Sequence, residues 1–311
     1  MVGVAWAMSC DRAVLGADAE AKAPTGKKVV LALKMATGDK VGMDMQVESE
    51  VSQNLPGVGE QKIKMSVGFK VGSTVTEVRK DGSLGMDMKY ERMQMTQELG
   101  GTKMMDVDTE HMTDAPMDKM FKAMIGRNLS MVFRPTGELV ELHGASALAD
   151  AMLKEAPEAS RAQMEQMLRK QFSDEAMLTQ FKGAMTVYPT RGLDNGDTWD
   201  FAGKMGGMVP MNLKTHYTML DHNGEKASVA LAGTIETVEG GEPMSVGGLT
   251  MKYGLKGQQT GTLEVNLKTG WVKKLEMKQE VTGTVEASGP GITGTQSWPI
   301  VINTHVAVSG E

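Results

Sequence analysis

Alternation of apolar and polar residues runs through most of the chain after residue 28, and it restricts the fold more than any other feature of the sequence. Three early runs carry an apolar residue at every second position, namely 41–47, 63–71 and 84–90. Successive side chains of a β-strand point to opposite faces, so each run is typical of a strand with one buried and one solvated face. Turn sequences separate the runs, as in Leu55-Pro56-Gly57 and Lys80-Asp81-Gly82. The N-terminal part is therefore predicted to be a meander of antiparallel hairpins.

The middle of the chain changes to helical spacing. Pro116 suits a first helical position, and apolar residues follow it with the spacing of one helix face. After a short hairpin over 129–142, residues 145–182 are predicted to form two or three helices. Pro157 ends the first of these, and Ser173 is expected to cap the last.

Strands resume after Tyr188-Pro189, with a long pair over 260–268 and 271–283 and a last strand over 298–308. The predicted fold is β-rich α+β, with a large curved antiparallel sheet and the central helices packed on its apolar face. The hairpins 132–142 and 265–275 align with their Thr-Gly turns in register, so two related halves remain an open alternative.

This pattern predicts one β-rich domain. The division is a leader and flexible tether over 1–27, followed by a single domain over 28–311. Within that domain, an N-terminal β half covers 28–143, a helical segment 144–184, and a C-terminal β half 185–311.

The charge distribution bears on possible partners. The 311 residues carry a net charge of −6, and lysine and arginine are spread along the sequence. Nucleic-acid binding needs a concentrated basic face, so no nucleic-acid partner is expected. No apolar stretch approaches the roughly 20 residues that span a bilayer.

The N-terminus favours export over an incidental apolar segment. Cys10 is the single cysteine, which excludes an internal disulfide framework. The segment Ala7-Met8-Ser9-Cys10 resembles a bacterial lipobox, in which the cysteine is lipidated, whereas Ala17-Asp18-Ala19 fits an ordinary signal-peptide cleavage site. Both alternatives place the protein in the periplasm or cell envelope, with membrane contact only through a lipid anchor on Cys10.

Methionine is unusually abundant, with 29 residues against 14 aromatic ones. The tetrapeptide Gly-Met-Asp-Met occurs at 42–45 and 85–88, and a strand places both of its thioethers on one face. Methionine adapts to varied apolar shapes, so these residues are predicted to line a site for a hydrophobic small molecule or lipid, with a dry packed core as the open alternative. The predicted lining residues are Met43, Met45, Met65, Met86 and Met88.

Cuprous copper is the alternative ligand, because soft thioethers suit it. Met43 and Met45 lie in line with Val41 and Val47, however, and no histidine follows at short spacing. Packing is favoured over copper, and neither a metal site nor a cofactor is assigned.

Other motifs give no catalytic site. Residues 106–114 resemble a calcium loop but have His111 in place of the sixth-position glycine, so a solvated charge run is predicted. The G-x-G-x-x-G match at 289–294 precedes a strand-like segment and is predicted to be a loop. His222 is expected at the surface of a turn. The protein is predicted not to be an enzyme, with an unrecognised carboxylate site as the open alternative.

Three short motifs carry a family resemblance, namely Tyr188-Pro189, Gly196-Asp197-Thr198-Trp199 and the hairpin 261–270. Over roughly residues 28–285 the chain resembles an uncharacterised family of bacterial exported proteins known as a domain of unknown function. The resemblance implies a secretory or lipoprotein leader and no assigned activity. The layout is also similar to the incurved sheet and covering helices of periplasmic lipoprotein carriers. The resulting hypothesis is a non-catalytic cell-envelope protein that binds an apolar or lipid-like ligand.

Overall fold

The computed structural model describes residues 21–184, 187–205, 209–241, 243–246, 248–292 and 294–311. The predicted lipidation site Cys10 and the cleavage site at 17–19 lie outside these residues. The strands are β1 Lys40–Leu55, β2 Gly59–Val78, β3 Leu84–Leu99, β4 Thr102–Asp108, β5 Asn128–Phe133, β6 Leu139–His143, β7 Thr198–Met205, β8 Met211–His222, β9 Lys226–Thr237, β10 Met244–Val246, β11 Leu249–Asn266, β12 Val272–Ser288 and β13 Gln296–Gly310. The helices are α1 Pro116–Lys122, α2 Ala145–Glu155, α3 Glu158–Gln171 and α4 Asp174–Ala184.

All of these strands belong to one antiparallel sheet. Its order is β6-β5-β3-β2-β1-β13-β12-β11-β9-β8-β7, with β4 beside β3 and β10 beside β11. The first and last strands pair in the middle, from Met43 opposite Gly310 to Gln53 opposite Ile300. The chain therefore starts at the centre of the sheet, reaches one edge at β6, and crosses through the helices to the other edge at β7. From there it returns strand by strand to the centre.

The ladder registers place the alternating apolar residues on one common face. Met45 of β1 lies opposite Phe69 of β2 and Val308 of β13, and Phe69 lies opposite Met93 of β3. Residues paired across a ladder share a face, so the apolar positions of neighbouring strands form one continuous surface. We call this surface the inner face. The predicted β-rich α+β fold with a curved antiparallel sheet is confirmed.

Glycines on the inner face of the C-terminal half let the sheet curl. A Cβ on Gly233 would overlap the carbonyl of Lys214, and a Cβ on Gly257 would overlap that of Glu280. The backbones of adjacent strands approach each other too closely on this side for any side chain at these positions. Such close approach on the concave side is what a strongly bent sheet requires.

The helices cover part of the inner face in the N-terminal half. Leu148, Met152 and Met177 pack with sheet residues such as Val75 and Leu129 in one buried cluster. Helix α4 contacts both β6 and β7, and so it lies between the two edges of the sheet. Ser173 caps α4 as predicted, with its Oγ accepting from the N–H of Ala176 at 3.1 Å.

An irregular N-terminal segment ties the two halves together. We call residues 22–36 the strap. Leu31 is buried with the C-terminal half, whereas Leu33 and Met35 are buried with the N-terminal half and its helices. The N–H of Leu33 donates to the Pro135 carbonyl, and the N–H of Lys34 donates to the Thr269 carbonyl, both at 2.8 Å. The strap thus fastens the β5–β6 turn to the β11–β12 turn.

The strap begins in a buried polar cluster around Asp194. This carboxylate accepts from the N–H of Thr25 at 3.0 Å, the N–H of Gly26 at 2.7 Å and the N–H of Asn195 at 2.8 Å. These donors hold the pKa of Asp194 well below its usual range. The described part of the predicted tether is therefore anchored to the sheet.

The expectation for His222 was wrong. Its side chain is only 6% exposed, and Nε2 lies 3.4 Å from Oδ1 of Asp194. The sequence shows a turn at Asn223-Gly224, but the strap folds back over that turn and covers the imidazole.

One strand was missed from the sequence. Residues 102–108 form β4, so the predicted charge run begins inside the sheet. Val107 faces inward and is buried, while Asp106 and Asp108 point outward with their acidic groups toward solvent. The strand has only seven residues, and its two acidic outward residues made the segment look like a solvated loop in the sequence.

Replacing Asp194 tests the strap. Because folding lowers the pKa of this carboxyl, the ionised group stabilises the native state above its ordinary pKa of 3.8, and this contribution is lost as the pH falls below that value. Asp194→Asn should lower the stability at pH 7, and the difference from wild type should shrink progressively below about pH 4.

Urea unfolding at several pH values measures this effect. Asp200→Asn, at a carboxylate that is 81% exposed, is the control and should leave stability nearly unchanged. A difference between wild type and Asp194→Asn that stays constant down to pH 2 would contradict the assignment.

Candidate ligand-binding face

The inner face has two differently packed parts in the N-terminal half. Where helices cover it, side chains are buried: Met86 is 2% exposed and Met88 is 9% exposed. They share a cluster with Met120 and Met124, which flank the end of α1, and with Met131 of β5. This part is a packed core.

Beyond the helices, inner-facing apolar side chains remain in contact with solvent. Met65 is 41% exposed and Leu99 is 38% exposed. We call this surface the open face, and its side chains are Met45, Val47, Ile63, Met65, Val67, Met95, Leu99 and Met105. They lie on the neighbouring strands β1 to β4, and the apolar surface that they form surrounds the inward-facing polar side chain of Gln97, which is opposite both Met65 and Met105. Contiguous exposed apolar patches on a folded protein mark interaction sites far more often than isolated exposed residues do.

The five predicted lining methionines fall into different environments. Met86 and Met88 belong to the packed core, and Met43 is half-buried against that core. Met45 and Met65 belong to the open face. The structure brings only the last two together on a surface that a ligand can reach.

The two Gly-Met-Asp-Met motifs do not meet on adjacent strands. Met43 and Met45 lie on β1, Met86 and Met88 lie on β3, and β2 runs between them. Met43 is level with Tyr90, whereas Met88 is opposite Ser73 of β2. The motifs are therefore separated by about 10 Å across the sheet, and this register gives no support to a shared copper site.

A row of polar side chains crosses the inner face at one level. It consists of Ser49, Thr304, Gln279, Gln259 and Thr215, and we call it the polar row. Ser49 pairs with Thr304, Thr304 with Gln279, and Gln279 with Gln259 across successive ladders. The positions on either side of it are apolar, as in Val47 and Val51. The row is thus one line of hydrogen-bonding groups with apolar positions on both sides.

Side-chain hydrogen bonds connect the buried end of the polar row. Gln279 Nε2 donates to Gln259 Oε1 at 3.2 Å, and Gln259 Nε2 donates to Thr215 Oγ1 at 2.8 Å. Gly233 of β9 lies between Gln259 and Thr215, and its lack of a side chain lets the amide reach across that strand. Gln259 and Thr215 are buried, so these bonds prevent the cost of leaving polar groups unpaired.

The other end of the polar row borders the open face. Ser49 Oγ and Thr304 Oγ1 lie 3.1 Å apart across the β1–β13 ladder, and both side chains are half-buried. Ser49 is also directly opposite Met65 of β2. A ligand on the open face would therefore meet hydroxyl groups at the edge of the apolar surface.

An acidic cluster near β4 is engaged in ion pairs. Asp108, Glu110 and His111 lie close enough together to hold a metal ion. Arg92 occupies these carboxylates instead, with Nη2 2.7 Å from Asp108 Oδ2 and Nη1 2.8 Å from Glu110 Oε2. The guanidinium of Arg92 holds the pKa of Asp108 well below its usual range. The arrangement fixes the turn after β4, as a structural ion-pair network does.

No helix in the described part of the chain has both the length and the apolar character needed to cross a membrane.

Fold and open face together define a β-rich α+β protein with one curled antiparallel sheet and a partly roofed apolar surface. A family model described as "Family of unknown function (DUF6263)" matches residues 81–272, more than half of the sequence. The chain belongs to this family. The resemblance to an uncharacterised family is confirmed at that level. A search of curated proteins gives no significant match.

Solved structures resemble the chain only distantly. The structure "Lipid-protein interactions in lipovitellin" aligns with 89% of this chain at 10% identity and a TM-score of 0.49. This chain spans 25% of the length of that one. An outer-membrane channel from Pseudomonas putida F1 aligns with 90% of this chain and 98% of its own, at 9% identity and a TM-score of 0.26. OccK7 of Pseudomonas aeruginosa aligns with 88% of this chain and 99% of its own, at 7% identity and a TM-score of 0.21. These scores are too low to support any functional argument.

The polar row was missed from the sequence. Its only local signal is a polar residue at an inward position, such as Ser49 between Val47 and Val51. Each such residue looks like an isolated interruption of the alternation. Only the ladder registers show that the interruptions on five strands stand at one level.

Replacing Gln259 tests the buried end of the polar row. Gln259→Leu keeps the volume but removes the partner of both Thr215 and Gln279, and it should cost about 1–3 kcal/mol of unfolding free energy. Adding Thr215→Val should recover part of that cost, because the buried hydroxyl is then also removed.

Denaturant unfolding of Gln259→Leu, of Thr215→Val and of the double variant completes a double-mutant cycle. Gln258→Leu on the outer face is the matched control, and a change within about 0.5 kcal/mol is expected. Strictly additive effects would show that the two side chains are not coupled.

Proposed function

We propose that this protein is a non-catalytic component of the bacterial cell envelope that binds an apolar or lipid-like ligand on the open face. The observation that carries the proposal is the set of partly exposed apolar side chains on the inner face of β1 to β4, with Met65 and Leu99 the most exposed. Elsewhere on the inner face, most apolar side chains are buried in one of three clusters or pack against one of them. The open face is the part of this surface that lies outside these clusters among the described residues.

The composition of the open face suits a ligand of variable shape. Four of its eight side chains are methionines, which are unbranched and can change conformation to fit different apolar surfaces. Completing the burial of a half-exposed large apolar side chain gains about 1 kcal/mol, and six of the eight are less exposed than that, so 8 kcal/mol is roughly an upper limit before ordering costs. This gross figure corresponds to micromolar affinity at best, which is appropriate for reversible binding.

The described carboxyl groups whose pKa is shifted are held in structural contacts. Each aspartate or glutamate with a shifted pKa in the described residues is shifted downward by hydrogen bonds or ion pairs, as for Asp81, Asp118 and Glu141. A carboxylic acid that donates a proton during catalysis near neutral pH needs a raised pKa instead. These groups are held ionised, as structural carboxylates are.

The assignment to the envelope rests on the N-terminal sequence. A lipobox-like Cys10 and an A-x-A site over 17–19 are two alternative export signals, and both lead to the periplasmic side of a membrane. An envelope location would place the open face near lipids and other apolar molecules.

A charge on the open face tests the proposal. Met65→Glu places a carboxylate among the ligand-contacting side chains, where an apolar ligand would have to desolvate it. Binding of the apolar fluorescent probe N-phenyl-1-naphthylamine, followed by titration, should weaken by at least about tenfold.

Met167→Glu is the matched control, because Met167 on α3 is 49% exposed and lies away from the sheet. It should bind the probe as wild type does. Native mass spectrometry of protein purified from the envelope should also show co-purified lipid on wild type and Met167→Glu, and less on Met65→Glu. Failure of wild type to bind probe or lipid, or equal binding by both variants, would refute the proposal.

A further inference from the structure

A second surface feature lies where the two edges of the sheet fail to pair. Strands β6 and β7 end the sheet on opposite sides, and α4 lies between them. A hollow of about 320 Å³ remains between this helix and the two edge strands. Its lining includes Leu139 at the start of β6, Val187 after α4, and Phe201 of β7. It contains no residue of the open face.

Gly203 of β7 makes room for the Phe201 ring in the lining of the hollow. A Cβ at this position would come within 2.8 Å of the end of the Phe201 ring, so the ring lies across the glycine. Both residues belong to the inner face, since Phe201 is paired with Thr215 and Gly203 with Leu213. The floor of the hollow is therefore apolar and is formed by part of the inner face.

Two lysines stand at the rim of this apolar hollow. Lys182 lies near the end of α4, and Lys204 lies near the end of the edge strand β7, at a position of the outer face next to Gly203. Both are exposed. Within the residues that the structure describes, neither ammonium has an ion-pair partner. Glu138 also lines the hollow, but its carboxylate is 2.9 Å from Nη1 of Arg134. The rim thus carries two positive charges with no negative charge assigned to them.

We propose that this hollow binds the carboxylate of a single-chain amphiphile, such as a fatty acid, with its acyl chain on Phe201 and Leu139. Lys182 and Lys204 pair with the carboxylate at the rim. The volume is at the lower end of the range of roughly 300–1,000 Å³ for small-molecule sites. One acyl chain fits such a space better than a two-chain lipid does. This site is independent of the open face and of the function proposed for it.

Charge and shape together favour this ligand class over a simple anion. An inorganic anion would bind to the two ammonium groups alone and would leave the apolar floor exposed to water. A neutral apolar molecule would fill the floor and leave the two lysines without a partner. A carboxylate with an alkyl chain satisfies both parts of the site.

Calorimetric titration of the full chain with decanoate and with decanol tests the proposal. Wild type should bind decanoate more tightly than decanol. Lys182→Gln with Lys204→Gln should weaken decanoate binding by about tenfold and leave decanol binding unchanged, because only the charged head is affected. Gly203→Val pushes the Phe201 ring away from Gly203 and into the hollow without changing either lysine, and it should weaken the binding of both molecules.

Matched controls separate this site from the open face and from general charge effects. Lys214→Gln with Lys256→Gln removes two exposed lysines from the outer face of β8 and β11 and should leave decanoate binding unchanged. Met65→Glu should also leave it unchanged.

Several results would overturn the proposal. They are no decanoate binding by wild type, equal loss from both lysine pairs, or full competition by inorganic phosphate. Loss of decanoate binding in Met65→Glu but not in Gly203→Val would place the amphiphile on the open face. That result would refute this inference while leaving the proposed function intact.

Discussion

The antiparallel pairing of β1 with β13 is the interaction on which the rest of the structure depends. Each half of the chain is a meander with its own edges, and this ladder joins them along eleven residue pairs into one sheet. Side chains reinforce the seam, since Trp298 Nε1 donates to Gln53 Oε1 at 3.1 Å on the inner face. Without this pairing both central strands would expose a long row of unpaired backbone groups, which invites association with other chains. The pairing also places the open face and the polar row side by side.

The inward-facing apolar side chains are covered to different extents along the inner face. In the N-terminal half near the strap, inner side chains are covered by the helices and form a dry core. In the C-terminal half the sheet bends until its inner face packs on itself, with Leu213, Ile235 and Ile300 in one cluster. Between these two parts, strands β1 to β4 extend beyond the helices, and their apolar side chains keep contact with water. The open face is thus a consequence of strand length relative to helix cover.

Much of the architecture could be predicted from the sequence, because period-two alternation specifies strands directly. The turns at 55–57 and 80–82, the helices after Pro116 and Ala145, and the cap at Ser173 depend on neighbouring residues only, and the structure has each of them. Strand β4 and the burial of His222 were not predicted. Strand β4 was missed because its outward residues are acidic and look like a solvated charge run. The burial of His222 was missed because it depends on the strap, which is distant in the sequence. Local sequence describes a turn well, but it holds no information about a segment that later folds over it.

The sequence by itself determined which side chains face inward, since the geometry of a strand assigns alternate residues to opposite faces whatever its neighbours are. The tertiary structure alone decided which inward side chains are covered. Met65 and Met86 obey the same alternation, yet one is half exposed and the other is sealed beneath helices. Likewise, Ser49 and Gln259 became members of one polar row only when the ladders fixed their level. The physical reason is that alternation is a property of one strand, whereas cover and register are set by contacts with segments far away in the chain.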